Sequence, residues 1–169
     1  MRWKLKQEPD LQKVNQLAKE LSIDKTLAKI LVQRNIDSFE KAKQFFRPSL
    51  EDLHDPFLMK DMAIAVKRIE KAIANNENIL VFGDYDVDGT TAVSLMSSYL
   101  KTIHPNVATY IPDRYAEGYG VSYQGIDFAE DNDFSLIIAL DCGIKAIEKV
   151  AYASEKNIDF IICDHHKPG

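Results

Sequence analysis

At 169 residues, with 21 Lys+Arg against 26 Asp+Glu and 46% hydrophobic residues, the chain has a net charge of −5 and the size and composition of one globular domain. Such a chain can bury a core without disulfides or a structural metal. No run approaches the roughly 18 apolar residues of a membrane span, and residues 1–6 carry no apolar signal segment, so neither a membrane nor a secreted protein is expected.

Cys142 and Cys163 lie inside apolar runs rather than in a paired Cys-x-x-Cys spacing, which speaks against a zinc site or a disulfide framework and for a reducing cytoplasm. Charge is unevenly spread: residues 1–60 hold 12 basic and 9 acidic side chains, residues 61–169 hold 9 and 17. A binder that grips nucleic acid by neutralising phosphates should have the opposite sign in its larger part. Either the partner is not nucleic acid, or cations held in an acidic site mediate the contact.

In chain order, residues 11–54 read as short helices. Leu11, Val14, Leu17 and Leu21 recur at steps of three and four, and Leu27, Ile30 and Leu31 begin a second stripe. Arg47-Pro48-Ser49 breaks the pattern. A longer helix follows, with Met62, Val66, Ile69 and Ile73 on one face, closed by the polar turn Asn75-Asn76-Glu77-Asn78. Beyond it, short apolar runs alternate with helical stretches: Ile79-Leu80-Val81-Phe82, then Val93, Met96, Leu100 and Ile103 at helical spacing, then residues 107–111. Residues 136–140, a helix over roughly 144–155, and residues 158–163 repeat the alternation.

Continuous apolar runs suit strands buried on both faces, and strands alternating with helices imply a parallel sheet. The expected fold class is therefore α/β: a parallel sheet with flanking helices over residues 61–169, preceded by a small helical segment over residues 1–60. The stop at Gly169, close behind the last strand, leads us to expect a first domain or a fragment of a longer protein.

Three of the predicted strands end in acidic groups: Asp84-Tyr85-Asp86-Val87-Asp88-Gly89, Asp141-Cys142-Gly143 and Asp164-His165-His166. In an open parallel sheet, ligands bind outside the carboxyl ends of the strands, so all three clusters should meet at one edge. Three carboxylates within five residues repel one another unless something positive compensates. The first cluster also opens like an EF-hand loop, but the twelfth position is Leu95 rather than a bidentate Glu and a buried strand precedes it, which argues against that site. Oxygen ligands with an imidazole suit Mg²⁺ or Mn²⁺ better than zinc or copper. Several carboxylates can hold two ions roughly 3.5–4 Å apart, the arrangement that assists phosphoester hydrolysis with water as nucleophile and no Ser or Cys nucleophile.

These motifs resemble motifs I, II and III of the DHH phosphoesterase superfamily. More narrowly, Leu53-His54-Asp55-Pro56-Phe57, residues 81–92 and the stretch Ile111-Pro112-Asp113-Arg114-Tyr115-x-Glu117-Gly118-Tyr119-Gly120 resemble the amino-terminal part of its bacterial single-stranded-DNA-specific exonucleases. The resemblance implies a DHH-type catalytic domain and a 5′→3′ exonuclease acting on single-stranded DNA with Mn²⁺ or Mg²⁺ in repair and recombination. It also implies single-stranded-DNA-binding protein and a helicase as protein partners. Asp84, Asp86, Asp88, Asp141 and His165 match metal-binding positions and His166 the position beside the scissile phosphate; His166 and Asp164 are the catalytic candidates. Arg114 and the turn Glu117-Gly118-Tyr119-Gly120 match a loop bordering the substrate channel. The family's fourth motif and its DHHA1 domain would lie beyond Gly169, so little nuclease activity is expected of the isolated chain. Two alternatives remain open: a DHH enzyme acting on oligonucleotides or cyclic dinucleotides, and, from another class, a receiver-like signalling module with Asp141 as phospho-acceptor and Lys167-Pro168 as its late Lys-Pro.

Overall fold

The computed structural model describes residues 4–169. The chain divides into two compact units, the first reaching Leu58 and the second spanning Met59–Gly169.

The first unit holds α1 (Leu11–Leu21), α2 (Lys25–Val32) and α3 (Phe39–Phe46). Each begins where Asp10, Asp24 or Ser38 accepts a hydrogen bond from a backbone N–H of the first turn. Val14, Leu17, Ala18, Ala28 and Leu31 form the core. The second apolar stripe departs from expectation, because α2 packs inward through Ala28 and Leu31 and leaves Leu27 and Ile30 exposed. Arg47, ahead of Pro48, leaves helical geometry (φ −138°, ψ 61°) and ends α3, as the proline ring demands of its predecessor. Single 3₁₀ turns follow at Leu50–Asp52 and Pro56–Leu58.

The second unit runs α4 (Met62–Ala74), β1 (Asn78–Gly83), α5 (Val87–Lys101), β2 (Val107–Tyr110), α6 (Tyr123–Asp131), β3 (Phe134–Leu140), α7 (Ile147–Glu155) and β4 (Asp159–Cys163). The four strands form one sheet in the order β2-β1-β3-β4, and every neighbouring pair is parallel. This is the α/β parallel-sheet architecture the apolar runs imply. Leu80, Phe82, Ile137 and Ala139 pack with Ile126 and Ala129 of α6 and Ala153 of α7. The intervening residues Ile79, Val81, Leu136 and Ile138 pack with Ala72 of α4 and Val93 and Leu100 of α5. Both faces are therefore covered, and β1 and β3 read as unbroken apolar runs for that reason.

Three local readings change. Ile103 falls past the end of α5 and is exposed, while Ser97 and His104 are buried instead. The helix expected over 144–155 starts at Ile147, because residues 143–146 make a turn in which Ala146 N–H bonds Gly143 C=O and Gly143 has φ +107°. Helix α6 has no apolar stripe long enough to mark it in sequence. It is fixed by Ser122, whose Oγ accepts from Gly125 N–H, and by burial of Ile126 and Ala129.

At the amino-terminal end of the sheet, Arg68 of α4 bonds Glu77 (Nη2–Oε2 2.7 Å) and Asp159 of β4 (Nε–Oδ2 2.6 Å), and Ser135 of β3 donates to Glu77 at 2.5 Å. The Ser135 hydroxyl, with Arg68 and Asn75, holds the Glu77 carboxyl down to about 2 from an ordinary 4.5 against the opposing effect of burial. A carboxyl whose folded-state pKa is depressed stabilises the fold above its unfolded pKa and loses that contribution as pH falls through the folded one. Stability should therefore decline between pH 4.5 and about 2 through this group. In acid titrations of urea stability, Glu77→Gln is expected to be less stable than the parent at pH 7 and to show a shallower decline in that window.

Candidate metal centre

Strands β1, β3 and β4 are adjacent, so the residues that follow them meet at the carboxyl end of the sheet. Asp84, directly after β1, is fully buried. Its Oδ1 accepts a long hydrogen bond from Gly120 N–H (3.4 Å), and its Oδ2 has no hydrogen-bond partner. The carboxylate is driven in by tight packing of α5 on β1. A Cβ at Gly89 would lie 2.4 Å from the Asp84 carbonyl oxygen and 2.7 Å from its nitrogen, and one at Gly83 would lie 2.4 Å from Val93 Cγ2. Only residues without a Cβ permit this approach. Asp86 caps α5, its Oδ1 accepting from Gly89 N–H at 3.0 Å, and its charge sits at the positive end of the helix. Asp88, in the first turn of α5, is exposed and engages in none of the described hydrogen bonds.

Asp141, after β3, takes a left-handed backbone (φ +58°), with its N–H bonded to Cys163 C=O at 2.8 Å. A non-glycine residue held there stores strain of a kind that gathers at functional sites. The twist aims its carboxylate at His165, Oδ1 to Nε2 3.1 Å. Asp141, His165 and His166 each offer a ligand atom within 4.8 Å of the others. The sequence reading set His166 apart from the ion-binding positions; the structure brings it into the same cluster.

Asp164, after β4, is a bracket. Its Oδ2 accepts from Ile144 N–H at 2.9 Å, and its Oδ1 accepts from His166 N–H at 3.0 Å and faces His166 Nδ1 at 2.7 Å. Burial works to raise the Asp164 pKa, but the two backbone N–H groups and the imidazole outweigh it and hold the carboxyl low. The same bond to Asp164 raises the His166 pKa, with the charges of Asp141 and Asp86 adding to it. The carboxylates thus share one field. Burial, then Asp84, Asp164, Asp141 and Asp86, push the Cys142 thiol up to about 12. That thiol stays protonated and is no nucleophile.

The loop from β2 to α6 closes over this edge. Tyr119 sets its ring edge-on to His166 (centroids 6.4 Å) and to Tyr85 (6.2 Å), and the Arg114 guanidinium lies 5.1 Å from the Tyr85 ring centroid. Gly118 and Gly120 have φ of +83° and +81° with open space where a Cβ would lie; Gly118 is partly exposed, whereas Gly120 is buried with its N–H on Asp84. Glu117 points the other way and is bonded inside the loop. Tyr85 is the member of this set that the motif reading passed over; its place between two carboxylates of the first cluster was the available signal. Beside His166 opens a cavity of about 290 Å³ lined by Tyr119, Val121, Cys142, Ile144, Lys145 and Lys149 among others.

The second unit is thus an α/β domain whose parallel sheet, covered on both faces, gathers carboxylates and histidines at its carboxyl end. Residues 78–169, more than half of the chain, match the model for the DHH family, N-terminal domain, and the chain belongs to that family. It is 43% identical over 169 residues to the single-stranded-DNA-specific exonuclease RecJ of Bacillus subtilis (strain 168), covering 100% of this chain and 21% of that protein. Among solved structures it resembles exonuclease RecJ bound to manganese, with a TM-score of 0.61, 32% identity, and 66% of this chain and 29% of that one covered. RecJ in complex with Mn²⁺ from Thermus thermophilus shares the fold, with a TM-score of 0.71, 24% identity, and 99% and 23% covered. The chain spans roughly a fifth to a quarter of the length of the curated relatives it matches. Membership in this family sets aside the receiver module.

If Gly89 is what lets Asp84 sink beneath α5, Gly89→Ala should cost about 1–3 kcal/mol or more, because a methyl group would be forced into backbone atoms that have little room to move. Urea unfolding measures the loss; an unchanged midpoint would show that the close approach is not required.

Proposed function

We propose that this chain is the cation-holding part of a DHH phosphodiesterase that digests single-stranded DNA in the 5′→3′ direction with Mn²⁺ or Mg²⁺. The observation that carries the reading is the gathering of Asp141, His165 and His166, whose ligand atoms lie within 4.8 Å of one another, at strand ends adjacent to the one that carries buried Asp84, a carboxylate with one oxygen left without a partner. That donor set fits a hard divalent cation: oxygen ligands dominate, imidazole is tolerated, and an unpartnered buried carboxylate calls for positive charge. Asp84, Asp86, Asp141 and His165 would hold the ions, with Asp88 adding negative charge from the first turn of α5. Bound there, divalent ions would offset charge on a phosphodiester and lower the pKa of water. They would also reconcile an acidic half of the chain with an anionic substrate.

Within this reading His166 acts at the leaving oxygen. Asp164 engages its Nδ1 and favours the imidazolium, which leaves Nε2 free to donate a hydrogen bond or a proton. Asp164 itself, with both oxygens taken, is a positioning group. Arg114 and the backbone of Gly118 would border the path of the strand, with Tyr119 against His166 and Gly120 behind it on Asp84. Single-stranded DNA as substrate is supported by the names of the matched exonucleases. A place in DNA repair and recombination, a cytoplasmic setting, and single-stranded-DNA-binding protein and a helicase as partners are supported by the same resemblance. No helix among the described residues is long and apolar enough to cross a membrane.

Two measurements test the reading. Calorimetric titration should give Mn²⁺ binding to the chain that weakens roughly tenfold or more in Asp141→Ala; equal affinities would refute the site. The second joins this chain to the remainder of the Bacillus subtilis protein it matches and follows digestion of single-stranded DNA. There His165→Ala should raise the half-saturating Mn²⁺ concentration, whereas His166→Ala should lower kcat by roughly 10²-fold with metal dependence near normal. If both variants raise the Mn²⁺ requirement equally and leave the saturated rate intact, the division of roles is wrong.

A further inference from the structure

We infer that Glu117 is a positioning residue, whose carboxylate is consumed inside the β2–α6 loop and fixes Tyr119 and Gly120 against the carboxylate–histidine centre. The inference rests on the metal-dependent reading above and departs from the substrate contact that the sequence resemblance implies for this side chain.

The geometry is explicit. Oε1 accepts from Asp113 N–H at 2.7 Å, and Oε2 accepts from the Tyr110 hydroxyl at 2.9 Å and the Ser122 hydroxyl at 2.6 Å. Tyr110 is the last residue of β2, and Ser122 is the N-cap of α6, so one carboxylate ties both ends of the loop together. The backbone repeats the closure, with the N–H groups of Glu117 and Gly118 bonded to Asp113 C=O. Burial works to raise the Glu117 pKa, but Ser122, Asp113 and Tyr110 outweigh it and hold the carboxyl below its ordinary value. A half-buried anion with three donors already in place has little to offer a phosphate and would repel it.

Pinning Glu117 and Ser122 brackets four residues, and two of them reach the centre. Gly120 N–H is the one hydrogen-bond donor described on buried Asp84, and the Tyr119 ring stands against His166 and Tyr85. Gly118 and Gly120, both at positive φ, give this short stretch backbone freedom that L side chains rarely have. Left unpinned, it would sample many conformations. A three-donor carboxylate at its root selects one.

The test compares Glu117→Ala with Ser135→Ala. The second removes the same kind of hydroxyl–carboxylate bond, Ser135 to Glu77, at the opposite end of the sheet, and so controls for loss of stability alone. Mn²⁺ affinity is read by calorimetry, and amide hydrogen exchange of Tyr119 and Gly120 by NMR, under conditions where both variants are folded. Glu117→Ala is expected to weaken Mn²⁺ binding about three- to tenfold, short of the full effect of losing a ligand's own partner. It should also accelerate exchange at Tyr119 and Gly120 about tenfold or more. Ser135→Ala should lower the melting temperature and move neither. Wild-type affinity together with wild-type exchange in Glu117→Ala would overturn the inference, as would equal effects in both variants. If Glu117→Ala does not fold, Glu117→Gln, which keeps the volume and one acceptor oxygen, is read in the same way with a smaller shift expected. If the wild-type chain fails to bind Mn²⁺, the metal reading falls, and the exchange measurement still decides whether Glu117 pins the loop.

Discussion

The carboxylate of Asp84, fully buried with one oxygen unpartnered, is the constraint around which the rest of the second unit is arranged. An ionised group in that position opposes folding unless positive charge reaches it. The packing that puts it there is nonetheless tight and specific, because two glycines, Gly83 and Gly89, bring the start of α5 against the end of β1. A chain built only for stability would place an apolar residue at this point. Under the proposed function the carboxylate would be a ligand for a cation, with further donors from the neighbouring strand ends.

Electrostatics and architecture then agree. A parallel sheet sends successive strand ends to one edge, and here three adjacent ends carry Asp84, Asp141 and Asp164 with its two histidines. Two of these aspartates are turned to distinct tasks by local geometry. The left-handed backbone of Asp141 points its oxygen at His165, while the two occupied oxygens of Asp164 orient His166. Two adjacent histidines thereby take different partners. The strongly acidic balance of residues 61–169 is the cost of gathering so many carboxylates; under the proposed function, cations held there would reverse its sign where a phosphodiester would approach.

Much of this was legible in the residues alone. β1 and β3 are legible because a strand covered on both faces is apolar at every position, and the three acidic clusters are legible because they stand where such runs stop. What escaped depends on contacts distant in sequence. Helix α6 is held by the Ser122 cap and by two buried side chains, a pattern too short to register as periodicity. The inward turn of Glu117 depends on a hydroxyl from β2, the bracket formed by Asp164 depends on an amide twenty residues earlier, and the inclusion of His166 among the ligand atoms depends on where β3 ends. Ile103 and Leu27 misled for the complementary reason, since an apolar residue at helical spacing is buried only if a partner lies on that side.

The most direct test of the account is the stability of Asp84→Asn with and without Mn²⁺, measured by thermal unfolding. If the buried charge waits for a cation, the variant should melt higher than the parent in the absence of divalent ions, because a neutral amide is cheaper to bury. Mn²⁺ should then raise the melting temperature of the parent well above any rise in the variant. An Asp84→Asn chain that melts lower than the parent without metal, and is stabilised by Mn²⁺ as much as the parent, would contradict the claim that this carboxylate is the seat of the site.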